Sequence, residues 1–172
     1  GVAGGAVHPD GIDLPKMPRV WDDRFVPALS RLAAEVKKHG ARIGLQLLHV
    51  GRQAVHDRRV APSPLPSLAV VKGVPRELAR DEIKELVACH AEAARRARDA
   101  GFDFVEIHAA HGYLISEFLA PNANQRIDDY GGSFENRSRF LLEIMAAIKD
   151  RCGSDYPVGV RYNGEDYVAG GW

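Results

Sequence analysis

The feature that most restricts the fold is a helix-to-strand alternation whose two kinds of connection differ sharply in length. Apolar residues recur at Phe25, Leu29, Leu32, Ala33 and Val36 after the N-cap Asp22 and before the stop Gly40, which marks a helix over 22 to 39. The short apolar run Ile43 to Leu48 reads as a strand buried on both faces. Asp81 caps a second helix with the stripe Ile83, Leu86, Val87, Ala94 and Ala97, ending near Ala100-Gly101, and Phe102 to Ile107 is the next strand. Tyr130-Gly131-Gly132 permits a tight turn and Ser133 caps a third helix, whose buried face is Phe140, Leu141, Ile144, Met145 and Ile148; Pro157 to Tyr162 is the third strand.

Strands separated by helices are joined by crossovers, so the sheet is parallel and the class is α/β. Every helix-to-strand link is a few residues long. The two complete strand-to-helix links, 53 to 80 and 109 to 132, exceed the usual two to six residues several-fold. The first, with Pro62, Pro64, Pro66 and Pro75, is an irregular excursion rather than a linker between domains. In an α/β barrel or open sheet, such long links build the functional face.

The polar clusters gather on that face. Glu106-Ile107-His108-Ala109-Ala110-His111-Gly112-Tyr113-Leu114 sets two imidazoles and a phenol directly after a buried strand. Paired imidazoles there can hold a substrate oxygen and stabilise charge growing on it, and a tyrosine can donate a proton. A lone histidine more often satisfies a buried carbonyl, but two with a tyrosine at one strand end favour chemistry. Gln46, polar within an apolar strand, needs a partner, either a neighbouring side chain or a heterocycle. Arg161 must meet an anion or a carbonyl-rich group, or else pair with Glu106, Glu165 or Asp166. His49, His108, His111 and Glu106 also offer a zinc or iron ligand set and hence a metal-dependent barrel hydrolase; their spacing is poor for it, and no metal is expected. The hydrogen-bonding stretch Asn124 to Arg139 reads mainly as loop scaffolding.

Composition narrows the classes. The 172 residues are 45% hydrophobic and 27% charged, enough for one packed core. The 23 basic and 23 acidic side chains cancel, so nothing electrostatic points to nucleic acid or a membrane surface. No apolar run approaches the roughly 20 residues of a span, and the first residues lack a basic-then-apolar leader, so a cytoplasmic protein is expected. Cys89 and Cys152 read as two unpaired thiols. The chain lacks an initiator methionine and stops at Gly170-Gly171-Trp172 after a strand and its loop, which reads as an internal segment.

Four segments together resemble the Old Yellow Enzyme family of flavin oxidoreductases, in its branch of 2-enoate reductases, dienoyl-CoA reductases and trimethylamine dehydrogenase: Gln46 to Arg52, Ala61-Pro62-Ser63, Glu106 to Leu114, and Asn124 to Arg139. The resemblance implies an incomplete (β/α)8 TIM barrel, about strands 3 to 5 with their helices, making residues 1–172 a partial FMN-binding domain that begins after the second barrel strand. It implies hydride transfer from NADH or NADPH through FMN to the C=C bond of an unsaturated carbonyl or enoate, with simpler enoates, enones or steroid-like substrates favoured by the His-x-x-His pair. Gln46 is similar to the glutamine at the flavin's pyrimidine edge, Arg161 to the arginine near N1 and O2, His108 and His111 to the carbonyl-gripping pair, and Tyr113 to the proton donor. A 4Fe-4S cluster and FAD domain elsewhere in a longer parent, and a homo-oligomer, are compatible with the branch. An isolated segment is expected to bind FMN poorly or to be inactive.

Overall fold

A computed structural model describes residues 1–12, 16–67, 73–168 and 170–171. Among them the strands are β1 (Val2–Ala6), β2 (Gly44–Leu48), β3 (Val60–Ala61), β4 (Arg76–Glu77), β5 (Phe104–Ala109) and β6 (Val158–Tyr162). The α-helices are α1 (Val26–Lys37), α2 (Arg80–Asp99), α3 (Leu114–Leu119) and α4 (Phe134–Cys152). The main sheet is parallel throughout and runs β1-β2-β5-β6. Each strand lies beside the next one in the chain, and the crossover helices pack side by side, α2 against both α1 and α4. A doubly wound sheet reverses its strand order and splits its helices between two faces. This sheet never turns back, so it is an arc of a (β/α)8 barrel.

Alternation along the strands separates core from site. Leu45 and Leu47 of β2 and Val105 and Ile107 of β5 face the helices, in one cluster with Ile83, Leu86, Phe140 and Ile144. Each fully buried side chain of this size contributes roughly 1.5–3 kcal/mol relative to exposure. The residues between them, Gln46, Glu106 and His108, take the opposite face.

The structure adds a strand that the sequence pattern did not suggest. Two of the five residues of β1 are glycines, with little intrinsic strand preference, and the strand exists because it pairs with β2 at Val2↔Leu45, Gly5↔Leu47 and Ala6↔Leu48. The sheet therefore has four strands rather than three, and the chain opens on a barrel strand instead of after one. β5 also starts two residues later than expected. Asp103 closes the turn before it, accepting the Ile43 N–H at 2.8 Å and pairing with Arg42 and Lys37; that backbone bond, aided by both cations, holds its carboxyl down at about 2. The shift places His108 inside the strand rather than in the loop beyond it.

Helix starts differ in detail. Asp22 caps a single 3-10 turn, Asp23–Phe25, with α1 following from Val26, and Leu32 is 40% exposed rather than on the buried face. Asp81 lies inside α2; the N-cap is Ala79, whose N–H donates to Glu82 at 2.8 Å. Ser133 caps α4 as expected, accepting the Asn136 N–H at 3.3 Å.

The long links hold structure of their own. α3 escaped the periodicity reading because all six of its residues are buried, leaving no amphipathic stripe. Arg126 ties the two excursions together: from a buried position it donates to the carbonyls of Pro62 (3.1 Å) and Leu78 (2.7 Å) and pairs with Asp128 (2.7 Å) and Glu77 (3.2 Å). Asn124 adds bonds to the carbonyls of Phe118 and Tyr130. The 124 to 139 stretch is thus scaffolding. Replacing Arg126 by Ala leaves two inward carbonyls and Asp128 without their donor, and is expected to lower stability by about 3 kcal/mol in denaturant unfolding of the intact protein. Arg126→Lys should recover little, because an ammonium cannot span the same fork of acceptors.

Candidate active site

Strand register assembles the site. Glu106 lies opposite Gln46 on one side and Gly159 on the other, and His108 lies opposite Arg161. Gln46 spends one amide N–H on Glu106, at 2.5 Å. Its carboxamide oxygen and second N–H have no partner among the described residues. The Arg161 guanidinium, likewise, makes no hydrogen bond or ion pair to them.

Beyond β5 the chain reverses through His111 (φ 60°) and Gly112 (φ 65°), both in the left-handed region. The reversal brings His111 and Tyr113 back over His108, with ring centroids 4.8 Å and 5.1 Å from it. Tyr113 then serves as the N-cap residue of α3, and Leu114 N–H donates to the His49 carbonyl at 3.0 Å. Gln46, His108, His111, Tyr113 and Arg161 all line one cavity of about 430 Å³, completed by residues such as Met17 and Leu48. A second hollow of about 270 Å³ continues along the inner face, shares Gln46 and Arg161 with the first, and is lined also by Glu106.

Hydrogen bonding settles the proton positions on the imidazoles. Burial first, then the charges of His111 and Arg161, push His108 down to about 4 against the opposing pull of Glu106, so the ring is neutral near pH 7. Ala110 N–H donates to Nδ1 of His108 at 3.2 Å, which leaves the His108 proton on Nε2. Nε2–H in turn donates to Nδ1 of His111 at 3.1 Å, so a neutral His111 carries its own proton on Nε2. The site therefore offers a relay of imidazole N–H donors beside a phenol, suited to an oxygen that gains negative charge.

The three-histidine ligand set of the hydrolase alternative does not form. His49 is buried away from the cavity, its Nδ1 accepting Gly51 N–H at 3.1 Å and its ring stacked on His8, and it lines a separate hollow of about 50 Å³. Glu106 is committed to Gln46. No group of three His, Cys, Asp or Glu side chains suited to a metal ion occurs among the described residues.

Three residues escaped the sequence reading. Lys16 sits on the cavity wall, and a lone lysine in a loop carries no signal distinguishing it from a solvated one. Glu117 is fully buried in α3; burial raises its carboxyl well above the usual range, against the pull of Arg52, whose N–H it accepts at 3.1 Å and whose Nε lies 3.5 Å away. A Cβ at Gly51 would come within 2.6 Å of that carboxylate, so only glycine fits there. A glutamate inside the apolar run Leu114 to Leu119 was the legible clue. Gln53 is the third, its side-chain amide donating to the carbonyls of His111 and Gly112.

An arc of (β/α)8 barrel here carries two imidazoles, a phenol and a guanidinium with no partner among the described residues around one hollow. The profile of the NADH:flavin oxidoreductase / NADH oxidase family matches residues 2–171, and the chain belongs to that family. It is 47% identical over 149 residues to an NADPH dehydrogenase of Geobacillus sp. (strain WCH70), an alignment covering 86% of this chain and 43% of the relative. Morphinone reductase in complex with tetrahydroNAD superposes with a TM-score of 0.87 at 36% identity, over 92% of this chain and 49% of that one. A 2-naphthoyl-CoA reductase in complex with 2-naphthoyl-CoA gives 0.94 at 33% identity, over 98% and 28%. The chain spans from about 24% to 49% of the length of curated relatives it matches. No described helix is long and apolar enough to cross a membrane.

The proton assignment has a direct check. NMR titration of His108 in the intact protein should show a midpoint near 4. His111→Ala should raise it by removing the neighbouring imidazole that lowers it, and Glu106→Gln should lower it further by removing an anion. A midpoint at the ordinary value of about 6.5 would remove the basis for the assignment.

Proposed function

We propose that the protein is a flavin-dependent ene-reductase, taking hydride from NADH or NADPH by way of FMN to reduce the C=C bond of an α,β-unsaturated carbonyl or enoate. The single observation that carries this reading is the meeting of Gln46, Arg161, His108, His111 and Tyr113 at one cavity in a chain of this family. The tetrahydroNAD held by morphinone reductase and the aryl-CoA held by 2-naphthoyl-CoA reductase support a nicotinamide donor and an unsaturated, carbonyl-bearing substrate. Residues 1–172 would then form part of one FMN-binding barrel domain. Two free thiols favour a reducing, cytoplasmic setting.

The donor set fits a flavin. Gln46 has an amide oxygen and an N–H to spare, matching a ring edge that both donates and accepts. Arg161, without a partner among the described residues, calls for an anionic or carbonyl-rich group. When bound, FMN supplies two-electron redox chemistry between nicotinamide and alkene. Glu106 fixes which end of the Gln46 carboxamide faces the cavity. Arg161 stabilises negative charge on whatever lies against it. His111 holds the substrate's carbonyl oxygen through its Nε2–H, and His108, whose own Nε2–H donates to His111, backs that donor and lowers the cost of charge arriving there. Tyr113 O–H delivers the proton to the α-carbon while the β-carbon receives hydride, so one H₂ equivalent is added and one NAD(P)H is oxidised.

In the intact protein, His108→Ala and His111→Ala should retain bound flavin and lose roughly 10²- to 10³-fold in kcat/KM for a cyclic enone. Gln46→Ala and Arg161→Ala should instead weaken FMN binding about tenfold or more. A colourless preparation, or histidine variants with undiminished enone turnover, would overturn the reading.

A further inference from the structure

We propose that Gln53 is a positioning residue for His111, acting on the backbone that aims the imidazole, with Asn163 as its counterpart from the opposite side. The proposal rests on the ene-reductase reading only for the task of His111; the clamp itself is geometric. His111 is exposed, and its ring has one hydrogen bond, to His108. Its packing is limited to edge contacts with the His108 and Tyr113 rings, so the aim of the imidazole depends largely on the main chain. That main chain is in the left-handed region at two consecutive residues, the first of which has a Cβ and is disfavoured there. Something must hold it.

Gln53 supplies the hold on the carbonyl side. It ends the single turn Gly51–Gln53 after β2, and its Nε2 donates to both the His111 carbonyl (2.9 Å) and the Gly112 carbonyl (2.7 Å). An amide has two N–H groups at a fixed angle, so these two bonds specify the relative orientation of two successive peptide planes. A Cβ on residue 112 would lie 3.0 Å from that nitrogen, so glycine permits the approach. On the other side the Asn163 Oδ1, beyond β6, accepts the His111 N–H at 3.1 Å, while Asn163 Nδ2 is steadied by Asp166 at 3.0 Å. His111 is thus gripped at its N–H and its C=O by side chains from two different strand-to-helix loops. Loss of either grip frees the backbone to relax to an ordinary conformation and turns the imidazole away from the cavity.

The test is a double-mutant cycle on the intact, FMN-loaded protein. Gln53→Glu keeps the shape and removes both donors. It should lower kcat/KM for a cyclic enone roughly 10- to 100-fold without changing flavin content. Gln53→Lys, which restores donors, should recover a substantial part. In a His111→Ala background, Gln53→Glu should cost less than about twofold, since a residue that works through His111 has nothing left to position. Asn163→Ala should repeat this non-additivity, and it stands in if Gln53→Glu fails to fold. Equal losses in both backgrounds would show a merely structural loop contact and overturn the proposal. So would unchanged turnover in Gln53→Glu while His111→Ala remains impaired. If His111→Ala is itself fully active, the functional reading falls and the positioning role falls with it.

Discussion

The register of three parallel strands is the constraint on which the rest depends. Pairing Gln46 with Glu106, and His108 with Arg161, stacks polar residues in adjoining rows on one face while Leu45, Leu47, Val105 and Ile107 go to the helices. Side chains alternate with a period of two, so a slip by one residue would send the imidazole, guanidinium and carboxamide into the apolar layer. The energy lost there is a measure of how strongly the hydrophobic layer enforces the site. Asp103 reinforces the same register from the strand's start, binding the Ile43 N–H across the turn.

The loops above the sheet are ordered by a different physics. Apart from α3, which packs into the core, they are held by buried and half-buried polar side chains that satisfy backbone groups. Arg126 answers carbonyls from two excursions, Glu117 answers the Arg52 N–H, and Gln53 and Asn163 answer both sides of His111. Each such bond is of modest net worth, yet its loss leaves a desolvated group unpaired, which makes these contacts specific as well as stabilising.

The same burial sets the chemistry. A cationic imidazole pair would bind an anion tightly before any reaction, whereas neutral N–H donors strengthen as charge develops on the oxygen they hold. Desolvation of His108, helped by His111 and Arg161, keeps that ring neutral. Glu106 connects this end of the site to Gln46, so the imidazole and the carboxamide are coupled through one carboxylate.

Sequence by itself determined the α/β class, the three apolar strands, most of the stripes of α1, α2 and α4, the Ser133 cap and the polar residues Gln46, His108, His111, Tyr113 and Arg161 that meet at the cavity, because period and residue chemistry are local properties. It could not reveal β1, whose glycines carry no strand preference, or α3, buried all round and so without a stripe. Nor could it separate His49 from His108 and His111, three histidines equally plausible as partners until the fold sends one to the helix side of the rim. Gln53 and Asn163 were ordinary loop residues until tertiary structure brought each to the His111 backbone, 58 and 52 positions away. Contacts across such separations arise from how strands stack and loops cross, and no local pattern in the chain encodes which carbonyl a distant amide will meet.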